Sequence, residues 1–141
     1  MRRFKRVIWS GLVSVTLLGC GGASSSVDLP THIDWGPYDP AVVLTGQLVL
    51  NGSCLQLTSD DPQGTWLVVW QPGTTLRGSA VVSRNGSTLA RVGDRVALDG
   101  GNYDATQVQP ELATSLSPAC QSSPYWLVAT VTVSSGGPTS S

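Results

Sequence analysis

β-strand signals dominate the chain between Ala41 and Val133, and Tyr125–Val133 alternates cleanly with the period of two of a half-buried strand. Val42–Leu50 and Ser53–Thr58 read as two strands joined at Asn51-Gly52, because a two-residue type I′ hairpin needs positive φ at both turn positions. That turn sets Leu48 opposite Leu55 and puts Leu44, Leu48, Leu50, Leu55 and Leu57 on one face, with Val49 and Cys54 paired on the other. Ser79–Arg84 and Ser87–Val92 form a second predicted hairpin around Asn85-Gly86. Trp66–Gln71 is a short strand ended by Pro72-Gly73, and Arg95–Leu98 follows a Gly93-Asp94 turn. In Tyr125–Val133, Leu127, Ala129, Val131 and Val133 take one face, and Trp126, Val128, Thr130 and Thr132 the other.

One helix is expected, before the last strand. Pro110 suits a first turn, Glu111 follows it, Leu112 and Leu116 lie four apart, and Pro118 ends it. About six short strands with one late helix make an all-β domain. A small OB-like barrel is the leading architecture, and an SH3-like barrel or small sandwich the alternative.

The pattern changes outside residues 41–133. Val7 to Gly19 is an apolar run broken by Ser10, Gly11, Ser14 and Thr16, behind Arg2, Arg3, Lys5 and Arg6. Spanning a bilayer takes about 20 apolar residues, so this shorter run fits the h-region of a secretory signal with a basic n-region. Gly21 to Pro40 opens with GGASSS and continues with Pro30, Pro37 and Pro40, the composition of a flexible tether, and SSGGPTSS reads as a disordered tail. The expected organisation is 1–19 signal peptide, 20–40 tether, 41–133 barrel domain and 134–141 tail.

Leu17-Leu18-Gly19-Cys20, closing that apolar run, resembles the lipobox of bacterial lipoproteins. The resemblance implies cleavage by signal peptidase II between Gly19 and Cys20, and a diacylglyceryl thioether with an N-acyl chain, such as palmitate, on Cys20. Leu18 stands where that family more often has Ala, Ser or Thr. Gly21 replaces the Asp that retains some relatives at an inner membrane, so onward export is permitted. Two or more acyl chains give firm anchoring, since each buried CH₂ contributes about 0.8 kcal/mol. The implied address is a bacterial cell envelope, on the extracytoplasmic side of an inner or outer membrane. The pattern of the mature domain is also similar to small lipoproteins of no known activity.

Removing residues 1–19 changes the charge picture. Four cations, Arg77, Arg84, Arg91 and Arg95, remain against nine acidic residues, a net of about −5. That balance argues against nucleic acid, whose binding rests on neutralised phosphates, and against docking on anionic lipid by charge. With Cys20 lipidated, Cys54 and Cys120 are left as an even pair in an oxidising compartment, and a disulfide is expected to pin the helical connection against the first hairpin. The mature chain also holds no lysine.

Candidate chemistry is sparse. The single histidine, His32, falls in the expected tether, away from the Ser and Asp residues of the domain, so no base–nucleophile pair is in view and no enzyme is expected. The mature chain has neither a methionine nor a histidine cluster for copper, zinc or haem, and no cofactor is expected. Asn51-Gly52-Ser53 and Asn85-Gly86-Ser87 match a glycosylation acceptor, but turn chemistry explains both. Asp60-Asp61-Pro62 reads as a turn for the same reason. Asp99, Asn102 and Asp104 offer oxygen ligands for Ca²⁺ within an apparent Gly-rich loop, against the plainer reading of a turn. Trp66, Trp70 and Trp126 are either core or a stacking face for a glycan or peptide, core being the commoner role. The four arginines form a face that could meet an acidic partner. The function expected is a membrane-anchored, non-catalytic binding or accessory module with an envelope protein partner. A barrel that binds a glycan or Ca²⁺ is the alternative.

Overall fold

A computed structural model describes residues 27, 29–33, 42–121 and 124–134. Its strands are β1 (Val42–Asn51), β2 (Cys54–Asp60), β3 (Gln63–Val69), β4 (Thr75–Arg77), β5 (Ala80–Val82), β6 (Thr88–Arg91), β7 (Arg95–Tyr103) and β8 (Tyr125–Val133). Helix α1 (Ala105–Val108) lies between β7 and β8. Five strands close a barrel in the order β1-β2-β3-β8-β7, while β4-β5-β6 form a separate three-stranded sheet. All barrel pairings are antiparallel except β3 with β8. The expected OB-like barrel is the architecture found, with the helix before the last strand.

Alternation builds the barrel interior. Leu44 and Leu48 of β1, Leu55 and Leu57 of β2, Trp66 and Val68 of β3, Val96 and Leu98 of β7, and Trp126 and Val128 of β8 point into one buried cluster. Burying one such leucine contributes about 1.5–3 kcal/mol. The small sheet joins the same cluster through Val81 and Ala90, with Leu76 and Leu89 packed beside them. It closes the barrel where a lone barrel of this size would expose its core.

A second cluster lies on the outer faces of β2, β3 and β8. Cys54, Leu67, Val69, Tyr125 and Leu127 are covered there by Val108, Leu116 and Cys120 of the β7–β8 connection. The second half of β3 and the first half of β8 are therefore buried on both faces.

Several local expectations are corrected. In the first hairpin Asn51 pairs with Cys54, Leu50 with Leu55 and Leu48 with Leu57, so the turn is Gly52-Ser53 rather than Asn51-Gly52. Gly52 has φ 62° and no non-glycine residue among those described has positive φ, the pattern of a type II′ turn with Gly first, not of type I′. The face assignment survives because the register moves by an even step, although Leu50, at the rim, is exposed.

Asp99 to Tyr103 is strand rather than loop, paired along β8. A bulge between Asp99 and Gly100 makes this possible, since Asp99 faces Thr130 and Gly100 faces Val128, leaving Ala129 extra. A Cβ on Gly100 would lie 1.8 Å from the Leu127 carbonyl oxygen, so only glycine fits. The bulge also reverses the facing of β8 beyond it, and Val131 packs against the barrel interior with Trp126 and Val128.

The helix is displaced towards the N-terminus. Asp104 caps α1 by accepting from the Gln107 backbone N–H, while the Gln107 side chain accepts from the Asp104 N–H. Pro110 starts only a 3-10 turn, Gln109–Glu111, and Leu112 is already extended. Without a second cap, Leu112 and Leu116 pack individually.

The expected tether reaches into the fold. Pro30 and His32 are buried, Trp70 N–H donates to Pro30 O at 2.8 Å and His32 N–H to Trp70 O at 3.2 Å. Ile33 N–H donates to Glu111 O and Ala113 N–H to Thr31 O, so residues 29–33 strap the end of β3 to the β7–β8 connection. At the other end, Ser134 N–H still bonds Arg95 O, which extends the β7–β8 ladder one residue into the expected tail.

Candidate functional site: a groove beside the last strand

Beyond Val69 the chain leaves the barrel. β3 pairs with β8 only over Leu67–Val69 against Tyr125–Leu127, and Trp70 turns instead to the strap. β8 runs on to Val133 with β7 along one edge. The gap opened beside its other edge is a groove of about 700 Å³. Trp70, Leu89 and Val131 line its apolar part, Arg84 of the β5–β6 turn stands at its side, and Gln71 crosses to β8. The Gln71 Nε2 donates to the Ala129 carbonyl, the bulged residue of β8. A concave apolar wall with few polar groups is the usual form of a binding site.

The turn that presents Arg84 is locally determined. Ser83 Oγ donates to Asn85 Oδ1, Gly86 N–H to Ser83 O at 2.9 Å, and Ser87 N–H to Asn85 Oδ1 at 3.1 Å. The predicted hairpin is present, but its turn is corrected. Ser83 pairs with Ser87, so the loop is the three residues Arg84-Asn85-Gly86, with positive φ at Gly86 and not at Asn85, rather than a two-residue type I′ turn at Asn85-Gly86. Val82 faces Thr88 across a bulge. Arg77, Arg84, Arg91 and Arg95 are all exposed. Three belong to the small sheet or its turns, and Arg95 starts β7 across from Ser134. Asp60 and Asp61 sit at the β2–β3 turn, and Asp104 caps α1.

The tryptophans are wall and core rather than a platform. Trp66, Trp70 and Trp126 are 9%, 1% and 4% exposed. The indole N–H of Trp70 and of Trp126 meets no hydrogen-bond acceptor among the described residues. Trp70 alone of the three borders the groove. Burial of this set removes the exposed aromatic face on which a glycan-stacking reading depends.

The candidate Ca²⁺ ligands are spread out. Asp99 and Asn102 lie on β7 and Asp104 just beyond it, so the outer pair is separated by roughly 16 Å of extended chain. Asp99 accepts from Thr130 Oγ1 across the ladder, and Asp104 from Thr106 Oγ1 at 2.6 Å. The Thr106 hydroxyl and then the Gln107 N–H hold the Asp104 carboxyl below the usual carboxylate range. Both carboxylates have structural occupations, and among the described residues no three His, Cys, Asp or Glu side chains gather to hold a metal.

Cys54 and Cys120 form a disulfide with Cα atoms 5.6 Å apart. It ties β2 to the 3-10 turn Pro118–Cys120, as expected, although the tied connection is a series of short helical turns rather than one helix. Gly19 and Cys20 lie outside the described residues. His32 is within the fold rather than away from it, buried in the strap and not on the groove. The groove itself has no sequence motif. Its advance signals were Trp70, a candidate stacking residue, and Arg84 beside a hairpin turn. In comparison with known proteins, no family model, no curated protein and no solved structure matches the chain.

Proposed function

We propose that this protein is a lipid-anchored, extracytoplasmic, non-catalytic binding or accessory module whose working surface is the groove beside β8. The groove is the observation that carries this reading: an apolar, side-open cavity of about 700 Å³ next to the arginine-bearing sheet. Nothing that supports it depends on a catalytic group. The one imidazole is buried in the strap, and the two domain cysteines are joined as a disulfide.

Anchoring at Cys20 follows from the lipobox resemblance, and the strap sharpens what it would do. Val27 already packs against the barrel core, so six residues, seven Cα–Cα steps, separate the lipidated cysteine from the domain. They reach at most about 25 Å, which holds the groove near the membrane surface instead of on a long leash. A partner would then be an envelope protein presented at that level. No helix among the described residues is long and apolar enough to cross a membrane.

The test is purification of the full chain from detergent-solubilised envelopes, with mass analysis of its N-terminal peptide and carboxylate-directed crosslinking. A diacylglyceryl, N-acylated Cys20 and a stoichiometric partner lost on Arg84→Glu are the expected results. An unmodified Cys20 sinks the anchor, and an unmodified, partnerless protein sinks the whole reading.

A further inference from the structure

The hydrogen-bond phase of β8 shows what the groove offers. Ser134 N–H bonds Arg95 O, so in the antiparallel ladder Thr132 and Thr130 also bond towards β7. Val131 and Val133 therefore aim their N–H and C=O groups away from β7, on the side where the Ala129 carbonyl meets Gln71. No described residue takes up those backbone groups. An edge of this kind is normally blunted by charge, proline or a covering segment. Here it reads Ala129-Thr130-Val131-Thr132-Val133, uncharged and β-branched from Thr130 on, and its Ala129–Val131 part lines the groove.

Resting on the binding-module reading above, we propose that the groove captures an extended, acidic segment of a partner polypeptide as an added strand on β8. Main-chain bonds to Val131 and Val133 provide the pairing, and alternate apolar side chains of the segment enter the groove over Trp70 and Leu89. Acidic residues of the segment meet Arg84 in the groove, Arg91 on β6, which lies against β8, and Arg95 across the ladder from the end of β8. No described side chain is ion-paired with these guanidiniums. The open backbone groups decide between occupants, since an acyl chain has no use for them. Charge decides against a second copy, because pairing β8 with its own copy would bring two sets of arginines together. The Gln71 amide, now on Ala129, is the group a bound strand would displace.

The experiment uses the full chain in phosphatidylcholine nanodiscs, titrated with a fluorescent octapeptide of alternating valine and glutamate. Saturable micromolar binding that weakens with salt is expected, with the valine–lysine peptide about tenfold weaker or worse. Amides of Val131 and Val133 should become protected from exchange on binding. Val131→Pro removes an N–H that β7 does not use, so it should fold and yet lose at least about tenfold in affinity. Arg84→Glu should do the same without touching the strand. Equal binding of the lysine peptide, or full affinity in Val131→Pro, overturns the proposal. So does protection of Val131 by phosphatidylglycerol nanodiscs without peptide, which assigns the groove to lipid, or by raised protein concentration, which assigns it to a second copy. If the peptide fails while a photocrosslinker at Leu89 traps an envelope protein, strand addition falls and the binding-module reading stands.

Discussion

Replacing both Cys54 and Cys120 with alanine tests how the outer half of this domain is held. The bridge spans a sequence separation of 66, and constraining a loop of that length in the unfolded chain contributes about 4 kcal/mol at 25 °C. Alanine is the right substitution because both sulfurs are buried, where an unpartnered serine hydroxyl would add its own penalty. For a domain of this size each kcal/mol is about 4–8 °C in Tm, so the double variant should melt roughly 15–30 °C lower. Each single variant should fall about as far, since either one opens the same loop. The native state should keep its barrel, with loss of amide protection concentrated in residues 104–121. That segment would then rest on Val108 and Leu116 against the outer faces of β3 and β8. Calorimetry and hydrogen exchange on the oxidised parent and the variants provide the assay. A drop under about 5 °C, with protection unchanged, would refute the reasoning: packing alone would be holding the connection.

Gly100→Ala should cost about 3 kcal/mol, because its Cβ meets the Leu127 carbonyl. Gly52→Ala, where open space surrounds the Cβ and only the positive φ is strained, should cost about 1 kcal/mol, and urea midpoints in the reverse order would count against the bulge. Asp104, whose carboxyl is held low by Thr106 and Gln107, contributes stability above its unfolded pKa and loses it as pH falls through the folded value. The urea-midpoint gap between parent and Asp104→Asn should therefore close in acid, and a gap independent of pH would show that the cap charge is idle. Leu98→Ala, buried in the barrel interior, should cost about 2–5 kcal/mol by urea denaturation. Amine-reactive labels should leave the mature chain unmodified, as it has no lysine and an acylated N-terminus is expected, so stoichiometric labelling would count against N-acylation.

Period-two patterning located the strands of the barrel because each has one face on the interior. Register was harder to read. Asn51-Gly52 and Gly52-Ser53 are both plausible turns by composition, and the choice between type I′ and type II′ moved the pairing without moving the faces. Asp99-Gly100-Gly101-Asn102 looks like a loop by every local propensity. It is strand because the bulge needs glycine at position 100, a demand set by the Leu127 carbonyl on another strand. Leu112 and Leu116 have helical spacing, but the cap lies at Asp104 with Gln107 three residues on, a signal that was present and weaker than the proline. The strap eluded the pattern altogether, since Thr31 and His32 are held by backbone bonds that composition cannot announce.

The groove was less legible still, for a physical reason. It exists because one strand stops pairing early. β3 leaves β8 after Val69 since Trp70 bonds the strap, and the strap comes from a segment whose composition reads as tether. Three distant stretches thus decide that the described residues leave the β8 edge unpaired: residues 29–33 draw Trp70 away, the β5–β6 hairpin sets Arg84 opposite, and the Ala129 bulge turns Val131. Removing the first of these should therefore change the site before it changes the barrel. His32→Pro removes the N–H that bonds the Trp70 carbonyl and leaves the interior cluster's own residues unchanged, and His32→Gly takes away the buried imidazole of the strap. If Trp70 then pairs onward with β8, the groove closes and peptide binding falls while the Trp66 and Trp126 core signals persist. Binding that survives a detached strap would mean that the edge is open for some other reason.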